Sequence, residues 1–475
     1  MSAPTDVRLP TGFAASLSRR VKICDDGRSL VGGSAGSVLY LAPEAAALVR
    51  SDTVVADAGT AGTLARLLLD RGFADPSWSD PPGPDASVTD VTLVVPIQDR
   101  AVALGQLLAA LPTQLPVVVV DDGSRSPHAV AAVCAAYGAR LVSHSENRGP
   151  AAARNTGLRL VETPYVAFCD SDVVPEPGWL AVLRRHLDDP AVAVVAPRIL
   201  GPLESAGDTW LERYEQARSS LDLGAEPAAV RVGGAVSYLP SACLVARVAS
   251  LGSGFDEAMR VGEDVDLVWR LLADGWRVRY EPGAAVRHEH LARLGPWLAR
   301  KSFYGTSAAP LAARHESAVA PMVLAPWSLV LMVSLLAQRR WSLPVGLAAA
   351  GVASAGVSRK LQRSEHPMRA AAVLTLEGAV ATCWQTSAAL TRHYWPLAVV
   401  AATLSPRARR ALVAAAVVEG LADYRRTRPG LGPVPYVVAH RLDDLAYGSG
   451  LWLGAWRQRS VRALMPGLRG FRRSG

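Results

Sequence analysis

A chain of 475 residues is long enough for two or three domains, each burying its own core, which excludes a single small stapled fold. Half of it is hydrophobic, and its five cysteines are scattered with no CxxC pair, which argues against a disulfide framework and against a zinc site built from cysteines. The net charge of +8 comes largely from arginine: it is either a habit of composition or an attraction to anionic phosphates or an anionic membrane face, and no nucleic acid is expected as a partner.

The N-terminal stretch MSAPTDVRLPTGFAASLSRR lacks the apolar core of a secretory signal, so the bulk of the protein is expected to face the cytoplasm. Residues 1–79 mix short strand-like runs (VRLP, RVKIC, SVLYL) with a turn at GGSAG and end in the helical pattern GTLARLLLDRGF. No GK[ST] follows GGSAG, so a hairpin turn is the better reading than a phosphate loop. Residues 80–90 contain DPPGPDAS and read as a linker, because proline and glycine resist both helix and ladder.

The third segment, residues 91–315, alternates apolar runs (VTLVVPI, PVVVVDD, ARLVSH, YVAFCD, VAVVAPR, WRVRYEP) with helical stretches such as AVALGQLLAAL. That alternation predicts an α/β domain with a largely parallel sheet covered on both faces, whose ligands sit beyond the carboxyl ends of the strands. The acidic clusters fall at those ends. The first strand leaves through Pro96 and Arg100; the second ends in Asp121 and Asp122, followed by Gly123, where a backbone can approach a ligand closely. SENRGPAAARNTGLRL then opens a helix with a Gly-Pro turn, and its free N–H groups with Arg148 and Arg154 favour an anion such as diphosphate.

YVAFCDSDVV follows. Asp170 and Asp172 stand two apart, and on an extended segment they would face the same way, so the pair is either a loose surface turn or holds something positive. VGEDVDLVWR places Glu263, Asp264 and Asp266 at the opening of an amphipathic helix. A diphosphate leaves a sugar carbon readily only when its charge is neutralised, which a divalent ion on carboxylates achieves, and the incoming hydroxyl needs a base. The parts of a sugar transfer are all present.

Residues 316–475 form an apolar, arginine-rich, helical region. Ser317 to Gln338 carries no charge over about 22 residues, enough to cross a hydrocarbon core of roughly 30 Å, and Arg339 and Arg340 follow at once. The readings left open are membrane insertion, a re-entrant hairpin with the next uncharged run from Trp341 to Val357, and a buried hairpin in a soluble domain. The expected site is the cytoplasmic face of the cell membrane, with the region resting on it or one hairpin or helix inserted.

In order and spacing, VVPxxxR, VVDDGS, ENRGPAAARNTG, DSD and GEDVDLVWRLLADGWRVRYEP resemble the inverting family 2 glycosyltransferases of GT-A fold, a Rossmann-like mixed sheet. The resemblance implies that Pro96, Arg100, Asp121, Asp122, Arg154, Asn155, Asp170 and Ser171 line the nucleotide-sugar site. It further implies that Asp172, Asp170 and the late His288 hold Mg²⁺ or Mn²⁺, with His290 competing for that role. Asp264 would be the base, with Glu263 orienting the acceptor. The QxxRW motif of processive members is absent, so a long extruded polymer is not expected. LPTGFAASLSRRVKICDDGRSLVGGSAGSVLYLAPEAAALV resembles the small winged-helix peptide-recognition domains of the PQQ-chaperone type. A head of that kind on a family 2 core with an apolar tail is similar to the glycosyltransferase family of the mycofactocin system. That implies UDP-glucose as donor and a peptide-derived mycofactocin precursor as acceptor. A polyprenyl-phosphate or other lipid acceptor, and a non-catalytic peptide-binding scaffold, stay open as alternatives.

Overall fold

The structure is a computed structural model and describes residues 7–33, 37–80, 88–202, 209–289 and 293–468. Most of the expected linker, residues 81–87, and the candidate ligand His290 lie outside the described residues. The chain divides into two compact units, Met1–Ser205 with Ser219–His290, and Ala206–Arg218 with Leu291–Gly475.

The first unit begins with a small α+β head. Ala14–Leu17 pairs antiparallel with both Thr53–Val55 and Ala74–Ser77, while Lys22–Cys24, Ser29–Gly32 and Ser37–Tyr40 form a second three-stranded sheet. The last two strands pair antiparallel across GGSAG, whose residues 34–36 lie outside the described residues. The helix Thr60–Arg71 buries Leu64, Ala65, Leu68 and Leu69 against Phe13, Leu30 and Phe73, and stops at Gly72, whose φ of +69° suits a left-handed helix end. The sequence expectation missed Ala14–Leu17, Ser29–Gly32, Thr53–Val55 and Ala74–Ser77, because three or four residues are too few for a period to show, and the expected strand at VRLP is not one.

The core of this unit is a mixed sheet built, with a two-residue strand at Ala228–Ala229, from β1 (Val91–Ile97), β2 (Val117–Asp122), β3 (Arg140–His144), β4 (Tyr165–Cys169), β5 (Val173–Pro175), β6 (Val192–Leu200), β7 (Cys243–Arg247) and β8 (Arg277–His288). Its order is β5-β8-β6-β7-β4-β1-β2-β3. β4, β1, β2 and β3 run parallel, and β6 runs parallel to β8, but β7 is antiparallel to both β4 and β6. The alternation of strands and helices alone gave a largely parallel sheet; the mixed sheet that the GT-A resemblance implied is what is found, with β7 antiparallel in its centre. Strands β1 and β4 are buried on both faces, as central strands must be, and their β-branched and aromatic side chains fit a pleated surface packed on two sides. The flanking helices used below are α1 (Ala101–Ala109), α2 (Pro127–Tyr137), α3 (Pro150–Leu158), α4 (Trp179–Arg184) and α5 (Glu263–Ala273).

The head is fastened to this sheet by arginine–carboxylate pairs. Arg66 donates through both terminal nitrogens to Asp189, at 2.8 and 2.7 Å; Arg277 donates through Nε and one terminal nitrogen to Asp70, and Arg279 reaches Asp75 at 2.6 Å. Trp78 stacks edge-on against the buried His186 ring, with centroids 4.6 Å apart, and under the Arg185 guanidinium. Two-pronged, partly buried pairs fix orientation as well as contact.

The second unit is helical: α6 (Leu294–Gly305), α7 (Pro326–Ala337), α8 (Ser342–Lys360), α9 (Pro367–Ala388), α10 (Trp395–Leu404), α11 (Pro406–Ala414) and α12 (Pro433–Arg457). The helix Trp210–Arg218 packs with α6 and α12 around Leu211, Tyr214, Trp297 and Tyr436. Backbones meet directly where α6 and α12 cross: a methyl group at Gly450 would lie 1.8 Å from the Ser302 carbonyl oxygen, and one at Gly305 2.1 Å from that of Tyr447. The buried Lys301 joins Glu215 and Asp443 at 3.0 and 3.3 Å, so the charges of this core are paired. The uncharged run ending at Gln338 does not form one helix. Pro326 opens α7, which is only 12 residues long and packs as a hairpin with α8; among the described residues no helix is long and apolar enough to cross a membrane.

Candidate active site

Four chain segments converge beyond the carboxyl ends of β1, β2 and β4. At the end of β2, Asp122 is buried and its carboxylate is fully engaged: it accepts the backbone N–H of Arg148 at 2.9 Å and of Gly149 at 2.7 Å, and meets His144 Nδ1 at 2.7 Å. His144 Nε2 in turn lies 3.0 Å from the Thr156 hydroxyl. Asp122 therefore ties the strand end to the start of α3. Asp121, also buried, accepts the Ser124 N–H at 3.0 Å and so shapes the turn after the strand. Gly123, with φ +72°, is required there, since a methyl group would lie 2.7 Å from the Asn147 nitrogen. Both aspartates were expected to line the nucleotide-sugar site; Asp122 holds two backbone N–H groups and His144, and Asp121 holds one backbone N–H.

Helix α3 carries Arg154, buried among carboxylates. One terminal nitrogen donates to Asp170 at 2.6 Å and the other to Glu263 at 3.0 Å, so a single guanidinium joins the DSD segment to the opening of α5. Burial opposes its charge, and Asp170 and Glu263 outweigh that, raising its pKa. The neighbouring Asn155 spends its amide on the loop before α5: it donates to the Phe255 carbonyl at 2.7 Å and accepts the Phe255 N–H at 2.9 Å. Gly254, at φ +76°, makes room for it, for a methyl group there would sit 2.3 Å from Asn155 Oδ1. Asn155 was expected at the nucleotide-sugar site, and its amide bonds the loop before α5.

The DSD pair is a turn. β4 ends at Cys169, and residues 171–172 leave the extended conformation, so the two-apart argument for a common direction does not apply. Asp170 faces Arg154, Ser171 is buried between, and Asp172 faces Arg100 and His288. Each aspartate does hold something positive, in each case an arginine.

Asp172 and His288 test whether a divalent ion fits. His288 Nδ1 lies 2.7 Å from the Glu289 carbonyl oxygen, which has no proton to give, so Nδ1 is the donor. In the neutral ring Nε2 then bears a lone pair, and it points at Asp172 Oδ1 from 3.6 Å. A lone-pair nitrogen facing a carboxylate oxygen suits a cation, and a hydrogen bond from the other ring nitrogen to a carbonyl is how a ligating histidine is oriented. These two residues fit such an ion. Asp170, the third expected ligand, is turned to Arg154, and among the described residues no cluster of three or more acidic, histidine or cysteine ligands is gathered. Arg100, which leaves β1, currently pairs with Asp172 and lines a cavity of about 610 Å³ with Asp99, Gln106, Arg125, Ser126 and Glu289. Pro96 lies on β1 opposite Val120.

Glu263 and Asp264 open α5, after Gly262 at φ +81°. Burial, then the adjacent Asp264 charge, push the Glu263 carboxyl above the usual range. Burial also raises Asp264, only partly offset by the N–H groups of Ser241 at 3.1 Å and Val265 at 2.8 Å. A carboxylate that binds protons more readily than a solvated aspartate is a better base. Ser241, His144 and Glu257 support the site and were not anticipated; nothing in the sequence alone marks them, because each acts through the fold. The acidic limb of kcat/KM is expected above the ordinary aspartate value of 3.8, with transfer full above that limb and lost as pH falls through it. A pH–rate profile with its limb at or below that value would count against Asp264 as the base.

Residues 92–247 match the glycosyl transferase family 2 model. The chain is 43% identical over 478 residues to the pre-mycofactocin glycosyltransferase of Mycobacterium tuberculosis, covering 98% of this chain and 100% of that protein. It is also 30% identical over 205 residues to the succinoglycan biosynthesis protein ExoU of Rhizobium meliloti, covering 41% of this chain and 60% of that one. Among solved structures, the mannosyltransferase PcManGT from Pyrobaculum calidifontis, in complex with GDP-Man and Mn²⁺, matches with a TM-score of 0.38 and 20% identity, covering 64% of this chain and 89% of that one. A motif order that matches family 2, a mixed sheet with its acidic residues at the strand ends, and likeness over the full length of a relative agree: the chain belongs to the pre-mycofactocin glycosyltransferase family, and its catalytic domain is a family 2 glycosyltransferase of GT-A fold.

Proposed function

We propose that this enzyme transfers glucose from UDP-glucose to the peptide-derived mycofactocin precursor, adding several units in succession with inversion at the anomeric carbon. The observation that carries this reading is the 43% identity to the pre-mycofactocin glycosyltransferase over nearly the whole of both chains, head and helical region included. Asp264 takes the proton of the acceptor hydroxyl, and Glu263, held by Arg154, orients the acceptor. A divalent ion, held by Asp172 and His288, would supply neutralisation of the diphosphate leaving group. Arg100, which pairs with Asp172, would stand beside the phosphates. The head is suited by its place beside the catalytic sheet to hold the peptide-derived part.

The test is a mass spectrum of the acceptor after incubation with the protein, UDP-glucose and Mg²⁺ or Mn²⁺, against a chelator control. Successive hexose additions that vanish with chelator are the expected result. Asp172→Ala should weaken metal-dependent binding of UDP-glucose by about tenfold or more, read by calorimetry. Equal donor affinity with and without metal in the native protein would remove the ion from this reading. The apolar exterior of the second unit favours a second acceptor class, a polyprenyl phosphate; hydrolysis of UDP-glucose without hexose addition to the peptide-derived compound would point there.

A further inference from the structure

We propose that the second unit lies in one leaflet of an anionic lipid bilayer, with α7 to α10 in the plane of the interface. This does not rest on the choice of donor or acceptor. The first observation is that polarity is inverted relative to a helix bundle in water. Ser328, Ser334 and Ser342, with Thr375 and Thr382, are buried, while Val333, Leu347, Val352, Leu376, Val380 and Leu404 are exposed. The last of these is 81% exposed and Val352 is 75% exposed, so these side chains are not merely grazed by solvent. In water a helix turns its aliphatic stripe inward. Here the outward face is aliphatic on four successive helices, far beyond the scattered apolar residues of an ordinary surface.

The second observation is how the helices meet. Small residues form the contacts: a methyl group at Gly346 would lie 3.0 Å from Leu331, and one at Gly378 would lie 3.1 Å from Trp327. Two of the inward hydroxyls are satisfied within their own helices, Ser334 donating to the Val330 carbonyl at 2.7 Å and Thr382 to that of Gly378 at 2.8 Å. Close approach through small residues, with no hydrophobic stripe to bury, is how helices associate when lipid is the solvent.

The third observation names the lipid. Between 326 and 414 the chain has ten arginines and lysines against two acidic residues. They gather at the helix ends. Arg339 and Arg340 sit at the α7–α8 turn, beside the start of α11, because Gln338 donates to the Arg407 carbonyl at 2.8 Å and accepts from Arg410 at 3.1 Å. Arg359, Lys360, Arg363 and Arg369 gather at the α8–α9 turn. With both ends of α8 basic and exposed, crossing the bilayer would carry one cluster to the far side, whereas lying in the interface leaves both at anionic headgroups. No described helix is long and apolar enough to cross, which agrees with that placement.

The test uses the full chain, sedimented with vesicles of phosphatidylcholine and phosphatidylglycerol mixed, or of phosphatidylcholine alone. Binding to the mixed vesicles, weakened by salt and by the neutral lipid, is expected. Arg339→Glu with Arg340→Glu should lower affinity for the mixed vesicles by about fivefold or more per residue. Leu347→Glu with Val352→Glu should lower it to both vesicle types, and since both side chains are exposed these variants are expected to fold, which circular dichroism verifies. Should they not fold, quenching of tryptophan fluorescence by brominated acyl chains in the unaltered protein decides the matter, Trp341 standing half-exposed beside the α7–α8 turn. Equal sedimentation with and without vesicles, absence of quenching, or a stable dimer that the Leu347 and Val352 changes dissolve would each overturn the proposal, the last by showing a second copy of the chain on this face.

Discussion

Asp264→Asn is expected to lower glycosyl transfer by about 10²- to 10⁴-fold, the usual contribution of a positioned general base, and to leave donor affinity nearly unchanged. The substitution keeps size and one acceptor oxygen, so one of the two N–H groups it now receives, from Ser241 or Val265, still finds a partner. What disappears, on the proposed function, is the site that receives the acceptor proton. Asp264 touches neither Asp172 nor His288 among the contacts of the site, so the metal end should be unaffected. Single-turnover rates and nucleotide titration on the same preparation check this; lost nucleotide binding would place Asp264 in the donor pocket instead.

Arg154→Met is expected to be the most damaging single change to stability, costing about 3–5 kcal/mol, because it leaves carboxylates without their buried partner. The guanidinium spans Asp170 and Glu263, and its side chain is only 4% exposed, so water cannot replace it. Glu263 then loses the charge that opposed its burial, and its carboxyl rises further. A carboxyl raised in the folded state costs stability once ionised, so the deficit of the variant should be full at neutral pH and shrink as pH falls through that raised value. Arg154→Lys should rescue little, since one ammonium cannot reach both carboxylates in the same planar fork. Thermal unfolding across pH checks both statements; an equal deficit at every pH would mean that lost packing, rather than stranded charge, is the cause.

Much of this site was legible because its residues belong to strand ends. Apolar runs such as VTLVVPI and YVAFC declare buried strands, and the residues that follow them must emerge at one edge of a parallel sheet. The resemblance set Asp172 and His288 at one metal site; although about 116 residues separate them, they stand 3.6 Å apart because β5 pairs with the end of β8 at Val173 and His288. What could not be read was the internal use of polar groups. Asp122 and Asn155 look like ligand-binding residues in a linear sequence, yet their atoms are committed to the α3 start and to the Gly254–Glu257 loop. Such commitments depend on neighbours distant in sequence. The strand β7 was missed for a related reason: CLVAR is five residues long, follows an irregular stretch and enters the sheet antiparallel, so neither length nor alternation with helices announces it.

The strand β8 is both a fastening for the head and the carrier of His288. Its first residues, Arg277 and Arg279, grip the carboxylates of the head, and its last is His288. The two roles share one continuous backbone of 12 residues, clamped along its length by β6. The head is therefore not a detachable module. Cutting it away strips the counter-charges from one end of a strand whose other end carries His288, so on the proposed function truncation would confound recognition of the acceptor with catalysis, and point changes at Asp70 or Asp75 are the cleaner way to separate them.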